Sequence, residues 1–174
     1  MLVDIGCNTG DFAQLALESG AEYVVGLEQD LGALERAYGR AILLRDRFLP
    51  LHQDLVDPSP NLGLLGKERP ALAQRLASAD GLLALAVLHH MAIRRNVPLW
   101  QALDVILAVA PTGVIEFVPK DDPTIKKMLA LRDDIFPDYT RDNFLNALSA
   151  RASVVTSDVI TERGRELFWY KRKI

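Results

Sequence analysis

The segment Asp4-Ile5-Gly6-Cys7-Asn8-Thr9-Gly10 follows a short apolar run and leads into an amphipathic stretch, so it reads as a strand-to-helix turn. Gly6 and Gly10 let the backbone turn sharply and approach a ligand closely. Glu28 closes the next apolar run, where a carboxylate can accept hydrogen bonds from ribose hydroxyls. A glycine turn alone is a weak signal. With a strand before it, a helix after it and Glu28 at the right distance, a nucleotide-like ligand is the better reading. A dinucleotide site needs G-x-G-x-x-G so that a pyrophosphate can rest on the helix N-terminus. Here Asn8 stands at the middle glycine's position and Asp11 opens the helix. A fixed negative charge there opposes a pyrophosphate and suits a ligand with a cationic centre and no phosphate.

Three further residues can do chemistry. His89 and His90 lie just past an apolar run, Gly81 to Ala86, and histidine titrates near neutrality. Either can serve as a base or contact a substrate, and either can instead pack at a helix start. Glu116 sits inside another apolar run, where an unpaired carboxylate is costly. It is therefore paired with a Lys or Arg, the reading slightly favoured, or it belongs to a site with a raised pKa. Cys7 packs as a small apolar residue.

Composition narrows the function classes. The 174 residues fit one domain with a proper core, and 49% hydrophobic with 25% charged residues is ordinary for a globular protein. A net charge of −3 lacks the basic footprint of non-specific nucleic-acid binding, which argues against a nucleic-acid partner. One cysteine excludes an internal disulfide and a cysteine-based metal cluster, and no His, Asp and Glu set has metal-ligand spacing. No metal is expected, and a reducing, cytoplasmic location is. The longest apolar stretch is interrupted by His89 and His90 and is too short to span a membrane.

Strand and helix patterns alternate from the first residue. Strands are expected at Met1 to Ile5, Tyr23 to Leu27, Phe48 to His52, Gly81 to Ala86 and Gly113 to Val118. Helices are expected at Asp11 to Ser19, with Phe12, Leu15 and Ala16 on one face, and through Leu31, Leu34, Tyr38 and Ile42. More follow at Pro70 to Ala77, Leu99 to Leu107, Pro123 to Ile135 and Thr140 to Ala150, the last capped by Thr140. Residues 57–68 read as a loop, and Ser153 to Ser157 with Glu166 to Lys171 as an antiparallel pair. Strands recurring after helix-length crossovers argue a parallel α/β sheet covered on both faces.

In this order and spacing, the motifs resemble those of class I S-adenosylmethionine-dependent methyltransferases over nearly the whole chain. Leu2 to Gly10 looks like the family's first motif, Val25-Gly26-Leu27-Glu28 the second-strand motif, and Gln53-Asp54-Leu55 the acid after the third strand. Ala79-Asp80 through Leu88-His89-His90 resembles the fourth-strand segment, and Glu116 to Thr140 a bacterial subgroup of unassigned substrate. The resemblance implies a doubly wound, mostly parallel seven-stranded sheet of order 3-2-1-4-5-7-6 with the last strand antiparallel. It implies S-adenosylmethionine as cofactor, whose sulfonium and ammonium suit the turn described above. Asp4 with the backbone of Gly6, Cys7, Asn8 and Gly10 would hold its methionyl end. Glu28 would take the ribose, Gln29, Asp54 and Leu55 the adenine, and Ala86 would border the cofactor at the end of the fourth strand. His90, His89 and Glu116 would lie on the acceptor side.

Residues 1–174 are accordingly expected to form a single methyltransferase domain acting on an O, N or C atom of a small or saccharide-type acceptor. Two departures qualify the resemblance. The family usually has a helical segment before the first strand, and this chain begins at the strand, so cover for the site would have to come from the helices between Pro123 and Ala150, from a second copy or from a partner subunit. Leu85 stands where many members carry a polar residue, and the Asn/Asp-Pro-Pro-aromatic turn of amino-group methyltransferases is missing. The alternative is a non-catalytic S-adenosylmethionine-binding regulatory or partner module. A nicotinamide-dependent oxidoreductase is disfavoured by Asn8 and Asp11.

Overall fold

The computed structural model describes residues 1–173. Seven strands, β1 (Leu2–Ile5), β2 (Val24–Glu28), β3 (Phe48–His52), β4 (Gly81–Ala84), β5 (Thr112–Phe117), β6 (Ala152–Val159) and β7 (Glu166–Arg172), follow the sheet order β3-β2-β1-β4-β5-β7-β6. Between them run α1 (Asp11–Glu18), α2 (Leu31–Leu43), α3 (Leu72–Arg75), α4 (Leu99–Ala108), α5 (Pro123–Leu129) and α6 (Arg141–Arg151). The α/β class, the strand order and the antiparallel last strand are those expected from the sequence. Contacts divide the chain into two compact units, one ending at Leu83 and the other beginning at Ala84.

In the first unit β1, β2 and β3 are parallel, with Leu2 opposite Val24 and Val24 opposite Phe48. Pro50 cannot donate to a ladder, and it is tolerated because β3 is the sheet's edge. Cys7, Ala13, Leu17, Val24, Ala37 and Phe48 form one core cluster. The buried faces of the helices differ from the reading by large apolar residues. Helix α1 buries Ala13 and Leu17, and α2 buries Ala33, Leu34 and Ala37. Phe12, Leu15, Leu31, Tyr38 and Ile42 are exposed instead. Alanines let a helix approach its neighbours closely; of the large residues expected on the α2 face only Leu34 is buried, and the others lie on the flank of the helix turned away from the core. Helix α3 is shorter than expected at both ends. Ala71 is extended and gives its N–H to Asn61 Oδ1 at 2.6 Å, so the helix cannot begin at Pro70.

In the second unit β7 runs antiparallel to both β5 and β6, pairing Val114 and Thr156 with Trp169. An aromatic file, Tyr139, Phe117, Phe144 and Phe168, packs with ring centroids 5.0–5.3 Å apart. Thr140 caps α6 through Asn143 N–H, as its sequence signature implies. Helix α5 is capped by Asp122, with Pro123 following, and stops at Leu129 rather than Ile135. Asp134 there accepts the Phe136 N–H and Lys120, and Pro137 disfavours helix in the residue before it. His90–Arg94 forms a π-helical turn that the sequence reading did not find.

Candidate functional site

The first unit assembles the glycine turn as the sequence reading implied. Gly6, Asn8 and Gly10 have φ of 71°, 48° and 83°, the left-handed region. Asparagine is one of the few side chains that enter it readily, which is how Asn8 replaces a glycine. A Cβ on Gly10 would come within 2.6 Å of the Phe48 ring. Gly26, opposite Asp4 in β2, is equally constrained: its Cβ would lie 2.6 Å from Cys7 Sγ and 2.7 Å from Phe48. The Cys7 thiol is buried, and desolvation first, then Asp4 and Glu28, push it up to about 12, so it packs and does not react.

Glu28 fastens the turn to the end of β2. Its Oε2 accepts the Asn8 N–H at 2.8 Å, and Oε1 accepts those of Gln29 and Asp30, each at 2.8 Å. Gln29 Nε2 donates to Asp54 Oδ2 at 3.1 Å, and Asp54 Oδ1 accepts the Val56 N–H, so the two residues assigned to adenine are brought together. Leu55 beside them is half-buried. Asp11 differs from its reading. Arg40 pairs with it at 2.5 Å and also holds the Thr9 carbonyl, so its charge is balanced and no longer speaks against a phosphate.

Asp4 is the anomaly of this unit. It is 2% exposed, and its Oδ2 has no hydrogen-bond partner among the described residues. Burial, and then the Glu28 charge, raise its carboxyl to about 7. A buried acid with an open oxygen, next to a second acid, is a site that a cation or an N–H donor would complete.

In the second unit Ala86 has φ 54° and donates its N–H to Glu116 Oε2 at 2.7 Å. Glu116 Oε1 meets Arg165 Nη1 at 3.2 Å, so the carboxylate has the basic partner that the sequence reading favoured. Arg165 also holds Asp122 through Nε at 2.7 Å and Nη2 at 3.0 Å, and the guanidinium keeps the Asp122 carboxyl far below its usual range. His89 is 1% exposed with both ring nitrogens unpartnered among the described residues. Desolvation, then the His90 and Arg165 charges, lower it to about 3, so its imidazole is neutral. The His90 ring lies 4.5 Å away and opens the π-helical turn. Arg40, Arg165 and Asp122 were missed in the sequence. Only Asp122 carries a local signal, a cap residue followed by proline.

No group of three or more His, Cys, Asp or Glu able to hold a metal occurs among the described residues, and no described helix is long and apolar enough to cross a membrane. No family model matches the chain. Over 171 residues it is 46% identical to nodulation protein NoeA of Rhizobium meliloti (strain 1021), spanning 98% of this chain and 36% of that protein, about a third of its length. Among solved structures it is similar to magnesium protoporphyrin IX methyltransferase (ChlM) from Synechocystis PCC 6803 with bound SAH, at TM-score 0.67 and 16% identity, covering 99% of this chain and 74% of that one. The 16S rRNA methylase RmtB matches at TM-score 0.62 and 15% identity over 99% and 55%. The bifunctional kinase-methyltransferase WbdD matches at 0.60 and 15% over 98% and 34%. With strand order, glycine turn and these neighbours in agreement, the chain has the fold of the class I S-adenosylmethionine-dependent methyltransferases.

Proposed function

We propose that this chain is a methyltransferase domain that binds S-adenosylmethionine and moves its methyl group to an O, N or C atom of a small or saccharide-type acceptor. The observation that carries the reading is the open, buried Asp4 oxygen at the glycine turn. A phosphate would meet the negative field of Asp4 and Glu28, whereas an ammonium or sulfonium is favoured by it. Asp4 and the backbone of Gly6 to Gly10 would hold the methionyl end, Glu28 the ribose, and Gln29, Asp54 and Leu55 the adenine. The cofactor supplies an electrophilic methyl that an acceptor lone pair displaces in line, so positioning provides much of the acceleration. The solved neighbours support the reading, since one is a methyltransferase with bound SAH. Net charge −3 supports a small acceptor over a nucleic acid such as the one named for RmtB.

His90 is assigned to the acceptor side, where an imidazole can take a proton from an attacking hydroxyl or amine. His89 is assigned to packing beneath it as a neutral ring, and Glu116 to the backbone it holds. A lone buried cysteine fits a reducing, cytoplasmic setting. The test is thermal unfolding with millimolar S-adenosylhomocysteine and, separately, NAD. A ligand of the native state raises the melting temperature by mass action. A rise with the first and none with NAD is expected, and no rise in the folded chain overturns the reading. Labelled cofactor offered with a cell extract then separates transfer from the binding-module alternative: binding without any labelled acceptor removes the catalytic claim.

A further inference from the structure

Ala86 occupies the left-handed region without any of the usual reasons for doing so. It is neither glycine nor a residue whose short polar side chain can bond its own backbone there, as Asn8 and Asn96 can. A strained backbone persists only where its surroundings over-determine it. The group that holds it is Glu116 Oε2, 2.7 Å from the Ala86 N–H. Glu116 is 4% exposed, so its charge must be balanced inside the protein, and Arg165 Nη1 meets the other oxygen at 3.2 Å. Arg165 is fixed in turn. Its Nε and Nη2 fork onto both oxygens of Asp122, and Nη2 lies 3.3 Å from Thr124 Oγ1. Asp122 is immobilised by capping α5, accepting the Thr124 N–H at 2.8 Å.

We infer that Arg165 is a positioning residue: anchored on the start of α5, it orients Glu116 so that the carboxylate pins the left-handed turn at Ala86, which sets where the His89–His90 segment begins. The line from the helix cap to the turn crosses the chain at residues 122, 165, 116 and 86, so no local pattern encodes it. Arg165 spends Nε and Nη2 on Asp122 and has Nη1 left for Glu116, so its grip on the helix cap fixes the direction from which it meets the Glu116 carboxylate. Immediately beyond the turn, Val87 O accepts the His90 N–H at 2.9 Å, and His90 O in turn accepts the Arg95 N–H that closes the π-helical turn, so a slip at Ala86 moves the histidines. The value of this device for methyl transfer rests on the function proposed above, but the turn itself can be tested without it.

The experiment follows the backbone amides of Ala86 and His90 by NMR and hydrogen exchange in the whole chain, with the Asn8 amide as the internal standard. In Arg165→Ala the Ala86 amide should lose its downfield shift, and both amides should exchange at least about tenfold faster while Asn8 stays unchanged. Arg165→Lys should restore part of the protection. In an Ala86→Gly background the left-handed turn carries no penalty, so Arg165→Ala should leave His90 exchange nearly unmoved. Unchanged Ala86 and His90 amides in a folded Arg165→Ala variant overturn the inference, as does an equal response in the Ala86→Gly background. If Arg165→Ala does not fold, Asp122→Asn probes the same anchor more mildly and should speed Ala86 exchange in the same direction; no change there overturns it too. Binding of S-adenosylhomocysteine to the unmodified chain is measured alongside. Its absence would strike only the cofactor reading, and an unmoved Ala86 amide only this one.

Discussion

Asp4 in β1 and Glu116 in β5 are both almost wholly buried, 2% and 4% exposed, yet their surroundings are opposite. Glu116 has an N–H on one oxygen and a guanidinium on the other. Asp4 has an open oxygen and a second acid nearby that raises its pKa further. A satisfied buried charge is scaffold, because removing one member leaves the others uncompensated. An unsatisfied one stores unfavourable free energy that a ligand can relieve, and such places are where function is sought. The contrast therefore separates the two acids by role even though burial alone would rank them together.

The comparison breaks most easily at Glu116. Glu116→Ala strands the Ala86 N–H and leaves Arg165 to Asp122 alone, and should destabilise by about 1–3 kcal/mol in urea unfolding. A loss under about 1 kcal/mol would mean that the cluster is not scaffold. Asp4→Asn should do the reverse. The Asp4 carboxyl keeps its proton in the folded chain up to about 7 but loses it near 3.8 when unfolded, so wild-type stability falls as pH rises through that window. The variant, free of that penalty, should be about 1–3 kcal/mol more stable at pH 8, yet bind S-adenosylhomocysteine at least about tenfold more weakly. Greater stability with unchanged calorimetric affinity would remove Asp4 from the site.

His89 sharpens the comparison, because its linkage has the opposite sign. It stays neutral when folded down to about 3 but takes a proton near 6.5 when unfolded, so stability falls as pH drops through that window. Between pH 4 and 6.5 the two slopes, each about 1.4 kcal/mol per pH unit, should nearly cancel in the wild type. Asp4→Asn should then show stability rising with pH, and His89→Gln should show it falling. Parallel profiles for both variants would contradict the assignment of either group. The smallest effect is expected at Arg40. The Asp11 it holds is 67% exposed at its side chain, so Arg40→Ala should cost about 1 kcal/mol or less.

Legibility in the sequence followed the range of the interactions involved. Thr140 was readable as a cap because a cap bonds three residues ahead, and the glycine turn because a left-handed backbone admits few residue types. The π-helical turn at His90–Arg94 left no comparable mark, since its five-residue hydrogen bond has no distinctive side-chain spacing. The early end of α5 was visible only in part: Pro137 was in the sequence, but the grip of Lys120 on Asp134 was not.

By itself the sequence determined the α/β alternation, the sites of the strands and the turn that carries Asp4, Gly6, Asn8 and Gly10. Each of these depends on backbone sterics and on apolar periodicity over a few residues. Tertiary structure alone decided that Ala13, Ala33 and Ala37 rather than Phe12, Leu31 and Ile42 face inward, because both sets satisfy one helical period and only close packing chooses between them. It also decided which acid found a partner. Arg165 reaches Glu116 across 49 positions of chain, whereas Asp4 Oδ2 meets no donor among the described residues, and the pairing of buried charges is set by which strand ends and turns the topology brings together.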